Sequence, residues 1–131
     1  MPGINFWAVI IAALVAFVAS TVWYITFSRQ LAQLSPAMAA EMKSPANWKK
    51  VAVVAQSVVL ATVLAYVIGR TGARGWLDSA GIGLVLWIGL SAVQWVGSII
   101  WEGVPVRLAA LHAGDWLVKL LLISAILGTW R

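Results

Sequence analysis

Apolar residues in this chain run in long unbroken blocks, not in the alternation of a half-buried strand. No charged side chain occurs from Met1 to Ser28, from Val51 to Gly69, or from Ser79 to Trp101. Each block matches the roughly 20 residues that a helix needs to cross about 30 Å of hydrocarbon. A fourth block, from Val106 to Trp130, is equally long but contains His112, Asp115 and Lys119. Taken alone, it reads as a fourth span, or as a helix buried in the protein or lying at the interface. Lipid satisfies no backbone hydrogen bonds, so a spanning segment must be a helix or a strand of a closed barrel. Barrel strands are about 10 residues long and alternate polar with apolar positions; these blocks do neither. The pattern predicts an all-α integral membrane protein, one domain over residues 1–131 with four transmembrane helices in a bundle. The spans fall at about 4–27, 51–68, 78–101 and 106–130.

The polar intervals define the connections. Residues 28–50 form a long connector containing Pro36 and Pro45. Ser35 followed by Pro36 is a helix-start signal, a hydroxyl at the N-cap and proline at the first helical position. Residues 36–43 are therefore read as a short helix lying on the membrane surface. Trp48, Lys49 and Lys50 make an aromatic and basic anchor at the entrance to the second span. The stretch Gly69–Leu77 reads as a turn, with Trp76 at the interface. The tight loop Glu102–Pro105 makes the third and fourth spans an antiparallel hairpin, and Trp130 with Arg131 closes the chain as an interfacial pair. The first block has no Lys or Arg ahead of it and exceeds the 7–15 residues of a signal-peptide core, so it reads as a retained span.

Composition agrees with lipid as the main solvent. The chain is 63% hydrophobic and 10% charged, against about 25% charged in a soluble domain. The net charge of +5 comes from residues in loops and at block ends, where anchors to anionic head groups belong. No glycine-rich phosphate loop accompanies it, so nucleic acid is not expected as a partner. Four spans put both termini on one side. Arg29, Lys43, Lys49, Lys50 and Arg107 then share one side, and Arg70, Arg74 and Arg131 the other. The positive-inside rule places the long connector in the cytoplasm and both termini outside. With no cysteine, disulfides, thiolate metal sites and a Cys nucleophile are ruled out.

Small residues recur every fourth position, at Ala8, Ala12, Ala16 and Ser20 and again at Ser57, Ala61, Ala65 and Gly69. Such stripes allow close helix approach, either within the chain or across a homodimer.

The fourth block carries the candidate chemistry. His112, Asp115 and Lys119 fall within a sector of roughly 60° on a helix. An Asp or Lys at a membrane helix centre costs about 2.5–3.5 kcal/mol, so partners or water are expected to offset it. Asp115 and Lys119 stand i,i+4 with the acid first, the favourable order for an ion pair. Counted inward from the long-connector side, Ser20, Thr21, Gln56, Ser57, Gln94, His112 and Asp115 lie roughly 8–14 Å deep at 1.5 Å per residue. Four helices thus contribute to one polar layer. That layer is either a buried hydrogen-bond network fixing helix register or a small cavity for a solute, a proton or a head group. No cofactor and no metal is expected: His112 is the only histidine, and further ligands beside it and Asp115 are lacking. Of the nine tryptophans, Trp7, Trp23, Trp48, Trp76, Trp101 and Trp130 read as an interfacial belt, and Trp87, Trp95 and Trp116 as packing residues. No serine stands in an elbow motif near a base and acid, and Asp78 and Glu102 lie at opposite ends of one span, so the expectation is a protein that is not an enzyme.

The opening INFWAVIIAALVAFVASTVWY, with Asn5, Phe6, Trp23 and Tyr24, resembles the start of a bacterial membrane family, domain of unknown function 1761. The stretch from Gly83 to Trp130 also resembles it, through Trp87, Gly89, Glu102, Gly103 and Gly128–Trp130. Family members often continue Ser-Pro after Trp-Tyr, where this chain has Ile25 and Thr26. The resemblance implies a small multi-span bacterial protein and no particular activity. The expected role is a non-enzymatic structural or accessory component of the bacterial inner membrane. Its partners would be lipids and a homo-oligomer or larger complex. The alternative is a small transporter or channel using the polar layer around His112, Asp115 and Lys119.

Overall fold

The computed structural model describes residues 4–130, and the described residues form helices without strands. Helix α1 (Phe6–Thr26) starts at Asn5, whose side-chain oxygen accepts the amides of Trp7 and Ala8 at 3.1 and 3.2 Å. It ends at Phe27, where the chain bends into α2 (Ser28–Leu34). The sequence reading treated this stretch as irregular connector. Its Arg, Gln, Leu and Ala are strong helix formers, and Leu31 is buried, so one apolar anchor suffices to hold a short helix against the bundle. Helix α3 (Pro36–Lys43) has the bounds expected from Ser35 and Pro36, although the Ser35 side chain makes no cap bond.

Four helical stretches are long and apolar enough to cross a membrane: α1, α4 (Asn47–Thr71), the third stretch Gly75–Glu102, and α7 (Val106–Thr129). The fourth block is therefore a span-length helix. Helix α4 begins ahead of residue 51 because Asn47–Lys50 continue the same turn pattern, and Lys49 pairs with Glu41 of α3 across the connector. The third stretch comprises α5 (Gly75–Leu86), one π-helical segment (Trp87–Ala92) and α6 (Val93–Glu102). A tight reversal follows it. Gly103 adopts φ +68°, a left-handed conformation that L side chains disfavour, and the amides of Gly103 and Val104 both point to the Ser98 carbonyl. Trp130 lies just past the end of α7 and is partly exposed; its expected companion Arg131 lies outside the described residues.

Helix α7 is the hub. It packs on α1, on α4 and, most extensively, on α5. The core between α1, α4 and α7 consists of Ala8, Val9, Ala12, Ala13, Ala16, Ala61, Leu64, Ile68, Leu120, Ile123 and Leu127. The first stripe is consumed inside the chain, with Ala8, Ala12 and Ala16 fully buried; in the second, Ser57 and Ala61 are buried, Ala65 is half-buried and Gly69 is exposed. The buried alanines therefore serve packing within the chain, where α1 and α4 approach each other. A second set of small residues, unmarked in the sequence reading, joins α5 to α7. A Cβ at Gly83 would stand 2.6 Å from Ser124 Oγ, and one at Gly128 would overlap the Ser79 side chain. Ser79 and Ser124 are completely buried and their hydroxyls have no hydrogen-bond partner among the described residues, so their small size is what this contact uses.

The π segment adjusts the phase of the third stretch. Positions four apart drift by about 40° per step on an α-helix, and a π turn advances each residue by less. Ser79, Gly83, Trp87, Ser91 and Trp95 can then stay on the α7 side along the stretch.

Candidate functional site

The polar residues of α7 are held from three directions. Lys119 Nζ lies 3.1 Å from Asp115 Oδ2, with only 13% and 3% of the two side chains exposed. The Lys119 ammonium also sits over the Trp116 ring, 4.1 Å from its centroid. The expected i,i+4 pair is therefore formed, with a cation–π contact as an additional partner for the charge. Asp115 Oδ1 is buried with no hydrogen-bond partner among the described residues.

One turn towards the long connector, His112 Nδ1 and the Tyr24 hydroxyl are 2.6 Å apart. If His112 carries its proton on Nε2, Tyr24 donates this bond. The Tyr24 hydroxyl is also within electrostatic reach of the Asp115 carboxylate. On its other side the imidazole stacks on Trp95 of α6, with centroids 5.0 Å apart and planes at 19°. His112 thus links α1 and α6, two helices whose backbones do not pack on each other.

Tryptophan indoles fix this arrangement to the α7 backbone. Trp23 Nε1 donates to the Leu111 carbonyl at 2.9 Å, and Trp87 Nε1 donates to the Ala113 carbonyl at 2.8 Å. The Trp23 ring lies against Gly114, where a Cβ would come within 2.5 Å of it. Trp23 is therefore not a member of the outer aromatic belt. Trp7, Trp48, Trp76 and Trp101 do face outward, at 58–85% exposure.

The other expected members of the polar layer separate. Ser57 is buried on α4 and Ser20 half-buried on α1. Thr21, Gln56 and Gln94 are exposed, and Thr21 satisfies its hydroxyl on the Phe17 carbonyl of its own helix at 2.9 Å. A single layer fed by four helices does not form. What forms is a cluster of His112, Asp115 and Lys119 on α7 joined by Tyr24 of α1 and Trp95 of α6. Beyond Lys119 the bundle interior is the apolar core, with Leu120, Ile123 and Leu127 meeting the α1 alanines.

Beside the cluster, on the long-connector side, a partly open cleft of about 330 Å³ lies between the end of α1, α2 and the start of α7. Trp23 and Leu111 form its inner wall, and Gln30, Gln33 and Arg107 its polar lining. No group of three or more His, Asp or Glu that could hold a metal ion occurs among the described residues.

Residues 7–128 match the family model described as protein of unknown function, DUF1761. The chain belongs to the DUF1761 family. No curated protein and no solved structure matches it. The match takes in Trp23, Tyr24, Trp87, Gly89, Glu102, Gly103 and Gly128, on which the resemblance rested, and leaves Asn5, Phe6, Thr129 and Trp130 just outside. In this DUF1761 chain, sequence reasoning found the ion pair and His112 but missed Tyr24, Trp95, Trp23, Trp87 and Trp116 as their partners. Helical spacing reveals only partners on the same helix. Trp116, one residue after Asp115 and three before Lys119, was the partner that spacing alone could have supplied.

Proposed function

We propose that this DUF1761 protein is a non-enzymatic accessory component of a bacterial inner membrane that associates with a neighbouring membrane chain through outward-facing amides. The observation that carries this reading is the placement of Gln56 and Gln94. Both are exposed, and neither makes a side-chain hydrogen bond among the described residues. Gln56 lies about 13 Å along α4 from its start, and Gln94 about 12 Å along α6 from its end. In a helix that crosses the membrane, an outward side chain at that level meets lipid, which offers an amide no partner. Side-chain amides across membrane helices contribute about 0.6–2 kcal/mol. The third stretch supports the same reading, with only 11% of its apolar window buried inside the chain. The long connector, with Arg29, Lys43, Lys49 and Lys50, faces the cytoplasm in this proposal.

The test is the size and composition of the particle extracted from its native membrane in mild detergent. The unaltered chain is expected to run as a homo-oligomer or with a co-purifying membrane protein. Gln94→Leu and Gln56→Leu should weaken that association roughly fivefold each, at about 1 kcal/mol. Recovery of a lone monomer for the unaltered chain would overturn the reading.

One observation favours a second reading, a small transporter: the buried Asp115 oxygen that has no partner beside the Lys119 charge. Intramembrane ionisable groups often mark solute or proton paths. Solute flux in proteoliposomes that is lost in Asp115→Asn would favour this reading over the accessory role. The apolar core beyond Lys119 argues against it within a single chain.

A further inference from the structure

We infer that the cleft between α1, α2 and α7 is a binding site for the phosphate headgroup of an anionic phospholipid. This inference is independent of the association through Gln56 and Gln94, which lie on other helices. The cleft combines two chemistries. Arg107, in the first turn of α7, supplies a guanidinium with no ion-pair or hydrogen-bond partner among the described residues. Gln30 and Gln33, three apart on α2, add amide donors facing the same space. A guanidinium flanked by amides matches the oxygens of a phosphodiester, which Arg can bind in a bidentate manner. The first amides of α7 are also free of intrahelical partners, as at any helix start.

The opposite wall is apolar and rigid. Phe27 and Trp23 lie 4.7 Å apart by ring centroids, and the bond from the Trp23 indole to the Leu111 carbonyl pins that wall to α7. An acyl chain or glycerol backbone can lie there while the phosphate reaches Arg107. The space of about 330 Å³ suits a headgroup and not a whole lipid. The cleft lies where two span-length helices have their ends, α1 at Thr26 and α7 at Val106, the interfacial end of the bundle. The surrounding charge is complementary. The cleft shares its side of the protein with Arg29, Lys43 and Lys50, while Glu41, the acid on that connector, is paired with Lys49.

Native mass spectrometry of the full chain, released from mixed micelles of phosphatidylglycerol and phosphatidylcholine at 1 to 4 (about 20% anionic lipid, enough to dilute charge-only binding), tests the site. The unaltered protein is expected to retain phosphatidylglycerol in preference to phosphatidylcholine. Arg107→Gln should lower that preference about tenfold or more, because it removes a charge-assisted bidentate contact as well as a charge. Lys50→Gln, which removes an equal charge outside the cleft, should lower it clearly less than Arg107→Gln does. Gln30→Leu with Gln33→Leu keeps the charge, so it separates site chemistry from net charge; it should also lower the preference, with helicity by circular dichroism unchanged in every variant. Equal retention of the two lipids, an equal loss in Lys50→Gln, or full displacement of phosphatidylglycerol by millimolar inorganic phosphate would each overturn the assignment. The last result would make free phosphate the ligand.

Discussion

At the scale of single residues, the ion pair on α7 gives the sharpest expectation. Asp115 and Lys119 are 3.1 Å apart and nearly enclosed. Removing one partner of such a pair commonly costs about 3–5 kcal/mol. Asp115→Asn together with Lys119→Met should therefore be milder than the sum of the single changes. A double-mutant cycle by thermal unfolding in detergent should return a coupling of about 1–3 kcal/mol; a value below about 0.5 kcal/mol would mean that the two act separately. Tyr24→Phe removes the hydroxyl bonded to His112 and should cost about 1 kcal/mol by the same measurement. The pair was legible in the sequence because i,i+4 spacing on one helix needs no tertiary information. Tyr24 and Trp95 were not, because each meets His112 from another helix, and nothing local in the chain encodes that meeting.

Among the helices, the close contacts decide stability. Gly83 and Gly128 allow α5 and α7 to touch through Ser124 and Ser79. Gly83→Ala or Gly128→Ala should destabilise the protein by about 1–3 kcal/mol, as overpacking does, with a lowered unfolding midpoint in detergent as the readout. Ala12→Leu belongs to the same class, because Ala12 is fully buried between α1 and its neighbours. It should lower the midpoint without dissociating an oligomer. The number and order of spanning helices were readable because a membrane imposes a minimum apolar length on every crossing. The rotation of each helix was not. Apolar residues face both lipid and core, so hydrophobic periodicity does not mark the buried side. Depth along the helices consequently groups Gln56, Gln94 and Thr21 with the polar layer although they point out, while Ser57, on the same α4 turn as Gln56, is buried. The π segment at Trp87–Ala92 also has no pattern in the sequence that predicts it.

For the whole molecule, α7 holds the other long helices together, and the outer faces of α4 and α6 carry amides that lipid cannot satisfy. Cysteines placed at Ser35 and at Thr71 should be labelled from opposite sides of the membrane, as four crossings require, and labelling of both from one side would contradict the topology. The association with a neighbouring chain is the central claim, and site-specific crosslinking in intact membranes tests it most directly. The chain has no cysteine, so a cysteine at Leu90, exposed one turn before Gln94 on the same outer face, is a unique handle that keeps the amide. Val96 is 53% exposed and lies about 9 Å further along the same stretch on another face, which makes it the control. A short thiol crosslinker should give a discrete product above the monomer mass from position 90 and little from position 96. Equal yields from the two positions, or none from either, would contradict the account.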